Sequence, residues 1–280
     1  MTAQIIDGKK AAAEIRRTLK TKIDLLPEKP ALAVILIGND PASEIYVRSK
    51  EKTCAEIGIN AQSFRLPQDT KQEDLLKLIN ELNQNPQING ILIQLPLPQH
   101  INKQEVLEAV SPLKDVDGFH PLNTGLLQQK CQTFIPCTPK GIIRLLHGIK
   151  KDLTGLNAVV IGRSQIVGIP MAQLLLQENC TVTVAHSKTK DLPALCRNAD
   201  ILVSAIGKSS FITRDYIKPG AIVIDVGINR TANGISGDVD FNAVQDIASF
   251  ITPVPGGVGP MTIAMLLENT YEAFLKQRNI

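Results

Sequence analysis

Short apolar runs alternate with longer amphipathic stretches along most of the chain. The runs are rich in Val, Ile and Leu, and most of them end near Gly or a polar residue. Uninterrupted runs of this length are typical of strands buried on both faces, as in parallel sheets that helices cover. The predicted strands are residues 32–37, 90–95, 158–161, 181–185, 201–206 and 221–224. Alternation of strands and helices from end to end predicts an α/β fold.

Two later segments indicate how the chain is divided into domains. Residues 139–151 are typical of a helix, and residues 155–162 then begin a new strand–turn–helix unit, so we expect a domain boundary near residues 139–154. Residues 260–278 predict a long final helix that could return to the first domain. The expected architecture is two α/β domains flanking a cleft. The first comprises residues 1–140, completed by 260–280, and the second comprises residues 141–259.

Composition and charge exclude several classes of function. The chain has 280 residues and 44% hydrophobic content, enough to bury one large core or two modest ones. The net charge of +3 is small and the basic residues are scattered, so we expect no nucleic-acid partner. We see neither the apolar segment of a signal peptide at the start nor an apolar run of membrane-spanning length. We therefore expect a cytoplasmic protein with no membrane partner.

The cysteines and histidines do not have the spacing of metal ligands. There is no CxxC pair, and the four histidines are far apart, so we expect no metal site. A chain of this size does not depend on disulfides, so we interpret the thiols as reduced and buried like small hydrophobic side chains. The five cysteines are Cys54, Cys131, Cys137, Cys180 and Cys196.

A glycine turn between a strand and a helix is the candidate nucleotide site. Gly162 ends a predicted strand and Gly168 opens a helix, where backbone N–H groups would face a pyrophosphate. The spacing departs from GxGxxG, because Ser164 replaces the second glycine and the third comes one residue late. On glycine spacing alone, a tight strand–helix turn is as good an interpretation as a dinucleotide site.

The end of the next strand favours NADP over NAD. Residues 185–188 contain no carboxylate for the ribose hydroxyls but do contain hydrogen-bond donors. Arg163 and Ser164 could converge on the same point, and donors without an acid suit a 2′-phosphate. Taken separately, His186 and Lys188 are better interpreted as solvated loop residues.

Tyr46 and Lys50 are the first candidate catalytic residues. Asp40 and Pro41 predict a helix start, and Gly58 can end that helix. Tyr46 and Lys50 are four residues apart and share one face of it. Such a pair could move protons if burial lowers the pKa of the lysine. Spacing alone favours a plainer interpretation, an exposed lysine and a tyrosine at the core edge.

Three further segments contain candidate binding groups. Gln94 interrupts an apolar strand and could orient Lys50. A glutamine at the end of a strand whose amide finds hydrogen-bond partners without any role in a site explains the pattern equally well. A carboxylate in residues 115–120 could accept two N–H bonds from an amino-pyrimidinone ring, although a turn stabilised by Asp and Gly explains the pattern better. The glycines of residues 252–262 could let backbone approach a ligand, or could form a hinge between domains.

Taken together, these segments resemble one family, the bifunctional methylenetetrahydrofolate dehydrogenase/cyclohydrolases. The similar segments occur in family order and cover nearly the whole chain. They are YVRSK (46–50), GILIQLPLP (90–98), KDVDGFHP (114–121), PCTPKG (136–141), GRSQIVGIP (162–170), HSKT (186–189), DVGINR (225–230), GDVDF (237–241) and TPVPGGVGPMT (252–262).

The resemblance implies a set of catalytic and folate-binding residues. Lys50 would be the acid/base group that hydrolysis needs, Tyr46 would position substrate and Lys50, and Gln94 would tune Lys50. Asp117 would anchor the pterin ring. Other residues implied to border the folate are Leu95, Pro255, Gly256, Gly257 and Pro260.

The resemblance also implies the cofactor, the reaction and the assembly. NADP would contact Gly162, Arg163, Ser164, Ser187 and Ile228 of a Rossmann-like second domain. The enzyme would oxidise 5,10-methylenetetrahydrofolate to 5,10-methenyltetrahydrofolate, hydrolyse that product to 10-formyltetrahydrofolate, and form a homodimer. The main alternative is a monofunctional dehydrogenase on the same fold. Two others are a dehydrogenase for amino or hydroxy acids, with an Arg or Lys clamp for the substrate carboxylate, and a non-enzymatic NADP-binding regulator.

Overall fold

The computed structural model describes residues 2–232 and 234–279. The chain divides into two compact units, each built from segments that are distant in the sequence. The first unit comprises Glu14–Cys137 together with the residues from Ile263 onward. The second unit comprises Thr138–Thr262 together with the residues up to Ala13.

A parallel sheet with the strand order β3-β2-β4 forms the centre of the first unit. Its strands are β2 (Ala31–Ile37), β3 (Asn60–Leu66) and β4 (Gly90–Ile93). Every residue of β2 is buried, because this strand pairs on both edges and its apolar side chains pack on both faces. The helices that belong wholly to this unit are α2 (Pro41–Ile57), α3 (Gln72–Gln84), α4 (Lys103–Ala109) and α5 (Pro121–Gln128).

The second unit is built on a parallel sheet with the strand order β1-β11-β8-β7-β5-β6. Its strands are β1 (Gln4–Ile5), β5 (Asn157–Ile161), β6 (Thr181–Ala185), β7 (Ile201–Ser204), β8 (Ile222–Asp225) and β11 (Phe250–Ile251). Strand β5 lies between β6 and β7, so the direction of strand addition reverses at β5. Ligands in open α/β sheets bind at such a switch point, beyond the carboxyl ends of the strands.

Helices and a hairpin complete the second unit. They are α7 (Gly168–Gln177), α8 (Leu192–Cys196), a 3₁₀ turn (Arg214–Tyr216), the antiparallel strands β9 (Asn229–Thr231) and β10 (Gly234–Ser236), and α9 (Phe241–Val244). Three further helices contain the unit boundaries: α1 (Gly8–Asp24), α6 (Cys137–Ile149) and α10 (Val258–Arg278). A buried cluster from the strands and the segments that cover them forms the core, and it includes Val159, Leu202, Val223 and Ile251.

The predicted α/β class is confirmed, and each predicted strand has a counterpart in the two sheets. The pattern did not predict β3, because this edge strand is mostly polar and none of its residues is fully buried, with Asn60, Gln62 and Arg65 exposed. It also missed β1 and β11, which are too short for a periodic pattern. None of the helices in the described part of the chain is long and apolar enough to cross a membrane.

Two expectations require correction. The sequence placed residues 1–140 in the first domain, whereas β1 pairs with β11 in the sheet of the second unit, with Gln4 opposite Phe250. None of the five cysteines forms a disulfide, but Cys131 is exposed and only the other four are buried. Cys131 lies just after α5 in a loop whose neighbouring residues are polar and exposed.

Candidate active site

Helix α2 positions the first two candidate catalytic residues. Its start is stabilised by Asp40, whose carboxylate accepts a hydrogen bond from the Ser43 N–H at 2.8 Å, and Pro41 is the first helical residue. Gly58 ends the helix in the left-handed conformation, with φ of 85°. These local caps set the register of the helix, so Tyr46 and Lys50 lie one turn apart on the same face, and both are partly buried.

Lys50 contacts the amide of Gln94. The residue Gln94 directly follows β4, where its backbone N–H donates to the Ile35 carbonyl and so extends the sheet by one bond. Its side-chain Oε1 accepts a hydrogen bond from Lys50 Nζ at 3.0 Å, and its Nε2 donates to the Leu95 carbonyl at 2.8 Å. The second bond fixes which end of the amide faces the lysine, because Nε2 is held by backbone.

Asp117 and Cys137 lie in the same region of the first unit. Cys137 Sγ is 3.8 Å from Asp117 Oδ1 and 3.4 Å from the Val116 carbonyl oxygen. Lys50 interacts electrostatically with both Asp117 and Cys137. The structure therefore brings together an amine, an amide, a carboxylate and a thiol from α2, the end of β4, the loop after α4 and the start of α6.

Burial shifts the proton affinities of this group in ways that suit proton transfer. Burial lowers the pKa of the Lys50 ammonium, and the nearby carboxylate of Asp117 opposes that shift. Burial raises the pKa of Asp117 to about 6, with Lys50 opposing and Asp115 adding to the increase. A lowered lysine pKa enlarges the fraction of neutral amine, which is the form that can accept a proton from water.

Two buried residues that the sequence did not single out hold the Asp117 loop. Asp115 accepts hydrogen bonds from the backbone N–H groups of Phe119 and His120 at 3.1 and 2.8 Å. Asn269 of α10 donates to the carbonyls of Val116 and Ile135 at 2.8 and 3.0 Å. Asp115 belongs to the same motif as Asp117 and could have been found there. Asn269 lies inside an ordinary helical segment, and its role depends entirely on tertiary structure.

In the second unit, the glycine turn has the geometry of a close strand–helix crossing. Gly162 follows β5 with φ of 121°, a conformation that L side chains rarely adopt. A Cβ on Gly168 would lie 2.2 Å from the Gly162 carbonyl oxygen, so only glycine fits at the start of α7. The hydroxyl of Ser164 accepts from the N–H groups of Val167 and Gly168 at 3.2 and 3.3 Å. The turn thus exposes residues 163–165 at the carboxyl end of the central strand.

The other predicted cofactor residues are exposed around the same sheet edge. Arg163 lies in the glycine turn, Ser187 in the turn after β6, and Ile228 in the loop after β8. His186 Nδ1 accepts from the Lys188 N–H at 3.1 Å, so this ring nitrogen serves the local turn.

The loop with the predicted folate-binding glycines belongs to the second unit. Gly257 donates its N–H to the Pro253 carbonyl at 2.8 Å, and the Gly256 carbonyl accepts from the Lys9 N–H at 3.0 Å. A Cβ on Gly8 would lie 1.8 Å from the Gly257 oxygen. Pro255, Gly256 and Gly257 are thus held by the start of α1, and Pro260 lies in the first turn of α10. No cluster of three or more potential metal ligands occurs among residues 2–232 and 234–279.

Comparison with known proteins identifies two family regions in the chain. The family model described as "Tetrahydrofolate dehydrogenase/cyclohydrolase, catalytic domain" matches residues 6–117. The model described as "Tetrahydrofolate dehydrogenase/cyclohydrolase, NAD(P)-binding domain" matches residues 136–278. The Lys50, Gln94 and Asp117 group lies in the region of the catalytic-domain model, and the glycine turn lies in that of the NAD(P)-binding model.

Full-length relatives support the same relationship. The "Bifunctional protein FolD" of Streptococcus equi subsp. zooepidemicus is 53% identical over 279 residues, which cover 98% of each chain. The structure of the bifunctional FolD enzyme from Campylobacter jejuni superposes with a TM-score of 0.96 at 49% identity, covering 98% of this chain and 99% of that one. The Trypanosoma brucei methylenetetrahydrofolate dehydrogenase-cyclohydrolase, complexed with NADP cofactor and inhibitor, has a TM-score of 0.96 at 38% identity, with 100% of each chain covered.

Proposed function

This chain belongs to the tetrahydrofolate dehydrogenase/cyclohydrolase family, and on that premise we propose that it catalyses both reactions. It oxidises 5,10-methylenetetrahydrofolate with NADP to 5,10-methenyltetrahydrofolate, and it hydrolyses that product to 10-formyltetrahydrofolate. The observation that carries the proposal is the hydrogen bond from Lys50 Nζ to Gln94 Oε1, with Asp117 in electrostatic reach. An acid/base lysine of this kind serves the hydrolytic step, which a monofunctional dehydrogenase does not need.

Lys50 is the proton-transfer group in the hydrolysis. Water attacks the carbon of the methenyl cation, and a base must remove a proton before the ring opens to the formyl product. The lowered pKa of Lys50 favours the neutral amine, and donation to Gln94 Oε1 leaves the lone pair of that amine available for the proton. The protonated lysine can then return the proton to the folate nitrogen that leaves the carbon.

Folate orientation is assigned to the residues around Lys50. Asp117 accepts N–H bonds from the pterin ring when it is ionised, which a carboxylate with two oxygens can do in parallel. Tyr46 and Leu95 contact the substrate beside Lys50. The backbone around Pro255, Gly256, Gly257 and Pro260 also borders the folate.

The second unit holds NADP, which supplies an acceptor for the hydride of the methylene carbon. The residues fit such a group, because the glycine turn exposes residues 163–165 beside the N-terminus of α7, a position that suits a pyrophosphate. Arg163 and Ser187, with no carboxylate at the end of β6, suit a 2′-phosphate. Ile228 packs against the cofactor. We assign residues 141–259 to NADP binding, and residues 14–137 with the end of α10 to folate binding.

We further propose that the enzyme works in the cytoplasm as a homodimer. The five cysteines form no disulfides, which supports a reducing compartment. Exposed apolar side chains on α7, Ile169 and Leu176, lie seven residues apart on one face and support a subunit contact through the second unit. Sedimentation of the purified protein gives the subunit number directly, and a monomer at high concentration would contradict the dimer.

A spectroscopic assay tests both steps together. The protein is mixed with 5,10-methylenetetrahydrofolate and either NADP or NAD, and reduced cofactor and methenyltetrahydrofolate are followed at the same time. Formation of NADPH without lasting methenyltetrahydrofolate is expected. Accumulating methenyltetrahydrofolate would favour the monofunctional dehydrogenase, and no reduction with either cofactor from folded protein would refute the proposal.

A further inference from the structure

Two neighbouring carboxylates, Asp225 and Asp238, are almost completely buried in the second unit, with 3% and 0% of their surface exposed. Asp225 is the last residue of β8, and Asp238 follows the β9–β10 hairpin. The carboxylate of Asp238 accepts five hydrogen bonds. The donors are Ile206 N at 2.7 Å, Gly207 N at 3.2 Å, Lys208 N at 2.9 Å, Asn229 Nδ2 at 2.9 Å and Ser204 Oγ at 3.3 Å.

The Asp225 carboxylate is linked to Asp238 through backbone N–H groups. It accepts from the N–H groups of Gly227, Asp238 and Val239, each at 2.9 Å. Burial raises the pKa of Asp225 to about 6, and the charge of Asp238 adds to the increase. Such a site is costly to build, because two acidic groups lie close together away from water and their charges are balanced chiefly by oriented N–H groups.

Two glycines make the approach of backbone possible. A Cβ on Gly227 would lie 2.2 Å from Asp238 Oδ1, and a Cβ on Gly237 would lie 1.8 Å from Asp225 Oδ2. Any side chain at either position would displace a carboxylate from its donors. The glycines and the carboxylates of the DVGINR and GDVDF segments therefore pack against one another, although Asp225 and Gly237 are 12 residues apart in the sequence. We call this arrangement the interlock.

The interlock joins the ends of two adjacent strands. Residues 206–208 follow β7 and residues 227–229 follow β8, and Asp238 bonds to both segments. In a doubly wound sheet, the pyrophosphate lies at the turn after β5 and the adenosine ribose lies at the end of β6. The remaining half of a dinucleotide must then extend over the other side of the switch point, towards β7 and β8.

We propose that Asp225 and Asp238 are positioning residues for the nicotinamide half of the cofactor. They hold the exposed loop after β7, with Gly207 and Lys208, at a fixed distance from the exposed loop after β8, with Ile228. Neither carboxylate touches the cofactor. The inference rests on the proposed function, since it assigns the cofactor to this edge of the sheet.

The two activities of the enzyme separate positioning from general stability. The hydrolytic step uses Lys50 in the first unit and needs no cofactor, whereas hydride transfer depends on alignment of the nicotinamide. A carboxylate that only stabilises the fold would lower both activities in step with the amount of folded protein. A positioning carboxylate lowers the dehydrogenase selectively.

The test compares Asp238→Asn and Asp225→Asn with the unmodified enzyme. In Asp238→Asn the amide nitrogen replaces one carboxylate oxygen and in either orientation faces two nitrogen donors, from residues 206 and 207 or from residues 208 and 229, to which it cannot accept a hydrogen bond. We expect dehydrogenase kcat/KM to fall at least about tenfold, equivalent to about 1.4 kcal/mol, and cyclohydrolase kcat/KM with methenyltetrahydrofolate to change less than about twofold. Equal losses in both activities, or no loss in either, would overturn the proposal.

Asn229→Ala covers the case in which the aspartate variants do not fold. It removes one donor to Asp238, and we expect a smaller loss confined to the dehydrogenase. If this variant keeps full dehydrogenase activity while Asp238→Asn misfolds, Asp225 and Asp238 only stabilise the fold and the proposal is refuted. Asp240→Asn is the matched control, because Asp240 caps α9 through the Ala243 N–H and asparagine caps equally well.

NADPH binding, followed by its fluorescence, is measured on the same proteins. If the unmodified enzyme reduces no NADP, the proposed function fails, and the binding data still decide the role of the pair. Weaker NADPH binding in Asp238→Asn but not in Asp240→Asn supports positioning. Equal NADPH binding in all five proteins, with dehydrogenase activity unchanged or absent throughout, contradicts it.

Discussion

Asp117 in the first unit and Asp225 in the second both have a pKa raised to about 6 by burial, yet their surroundings differ. The interactions that oppose the increase for Asp117 come from side chains, first Lys50 and then Cys137. Those that oppose it for Asp225 come from the backbone N–H groups of three residues. Side chains can exchange partners and protons during a reaction, whereas backbone donors are fixed by the fold. The same shift therefore occurs in a carboxylate with exchangeable side-chain partners in one unit and in a carboxylate held by backbone donors in the other.

The largest expected effect comes from removing the amine of Lys50 beside Asp117. We expect Lys50→Met to lower cyclohydrolase kcat by roughly 100- to 10,000-fold, the scale of a lost acid/base group, while folate still binds. Lys52→Met is the control, because Lys52 lies on the same helix and is exposed. Normal hydrolysis in Lys50→Met, measured as decay of methenyltetrahydrofolate, would remove Lys50 from the mechanism.

A side chain placed against the Asp225 carboxylate tests how firmly the backbone donors of the second unit hold it. Gly237→Ala places a Cβ 1.8 Å from Asp225 Oδ2, so the carboxylate must move away from its N–H partners. We expect a loss of about 3 kcal/mol in the free energy of unfolding, measured by urea denaturation. Gly148→Ala is the control, because its Cβ meets nothing within 4 Å in α6 and should stabilise slightly. Similar unfolding curves for the two variants would contradict a tightly packed interlock.

The preference for NADP over NAD gives a third comparison, because it depends on an exposed side chain and not on buried groups. We expect Arg163→Ala to weaken NADP binding by roughly 1–3 kcal/mol, the scale for a charge-assisted hydrogen bond, and NAD binding much less. Lys188→Ala should leave the preference between cofactors unchanged, because Lys188 is interpreted as a solvated loop residue. Equal losses for NADP and NAD in Arg163→Ala would exclude that residue from 2′-phosphate recognition.

The smallest expected effect is on pH dependence. Because the pKa of Asp117 is raised to about 6, the carboxylate is protonated as the pH falls through that value and accepts fewer N–H bonds. Tetrahydrofolate affinity should therefore be constant above about pH 7 and fall by at most about tenfold per pH unit below about pH 6. Calorimetric titration with tetrahydrofolate at a series of pH values measures this affinity. In Lys50→Met the midpoint should move to higher pH, since Lys50 lowers the pKa of Asp117, and an unchanged midpoint would argue against their coupling.

Parts of the site that depend on local chemistry were predicted well. Both caps of α2, at Asp40 and Gly58, follow from residue type, and they place Tyr46 and Lys50 on one face. The glycine turn also follows from the strand before it and the helix after it. Cys137 was interpreted only as a small buried side chain, and nothing near Asn269 indicated a link to the Asp117 loop. Their contacts join segments 20 and 153 residues apart.

The sequence by itself determined the α/β class, the order of most strands, the capped helix and the family resemblance. Hydrophobic period, cap residues and glycine spacing act over a few residues, so they can be read without knowing what packs where. Only the tertiary structure decided that Lys50 meets Gln94 from 44 residues away, that β1 joins the second sheet, and that Asp225 and Asp238 share one buried centre. Those outcomes depend on which distant segments bury apolar surface together, and on which backbone donors must then find an acceptor away from water.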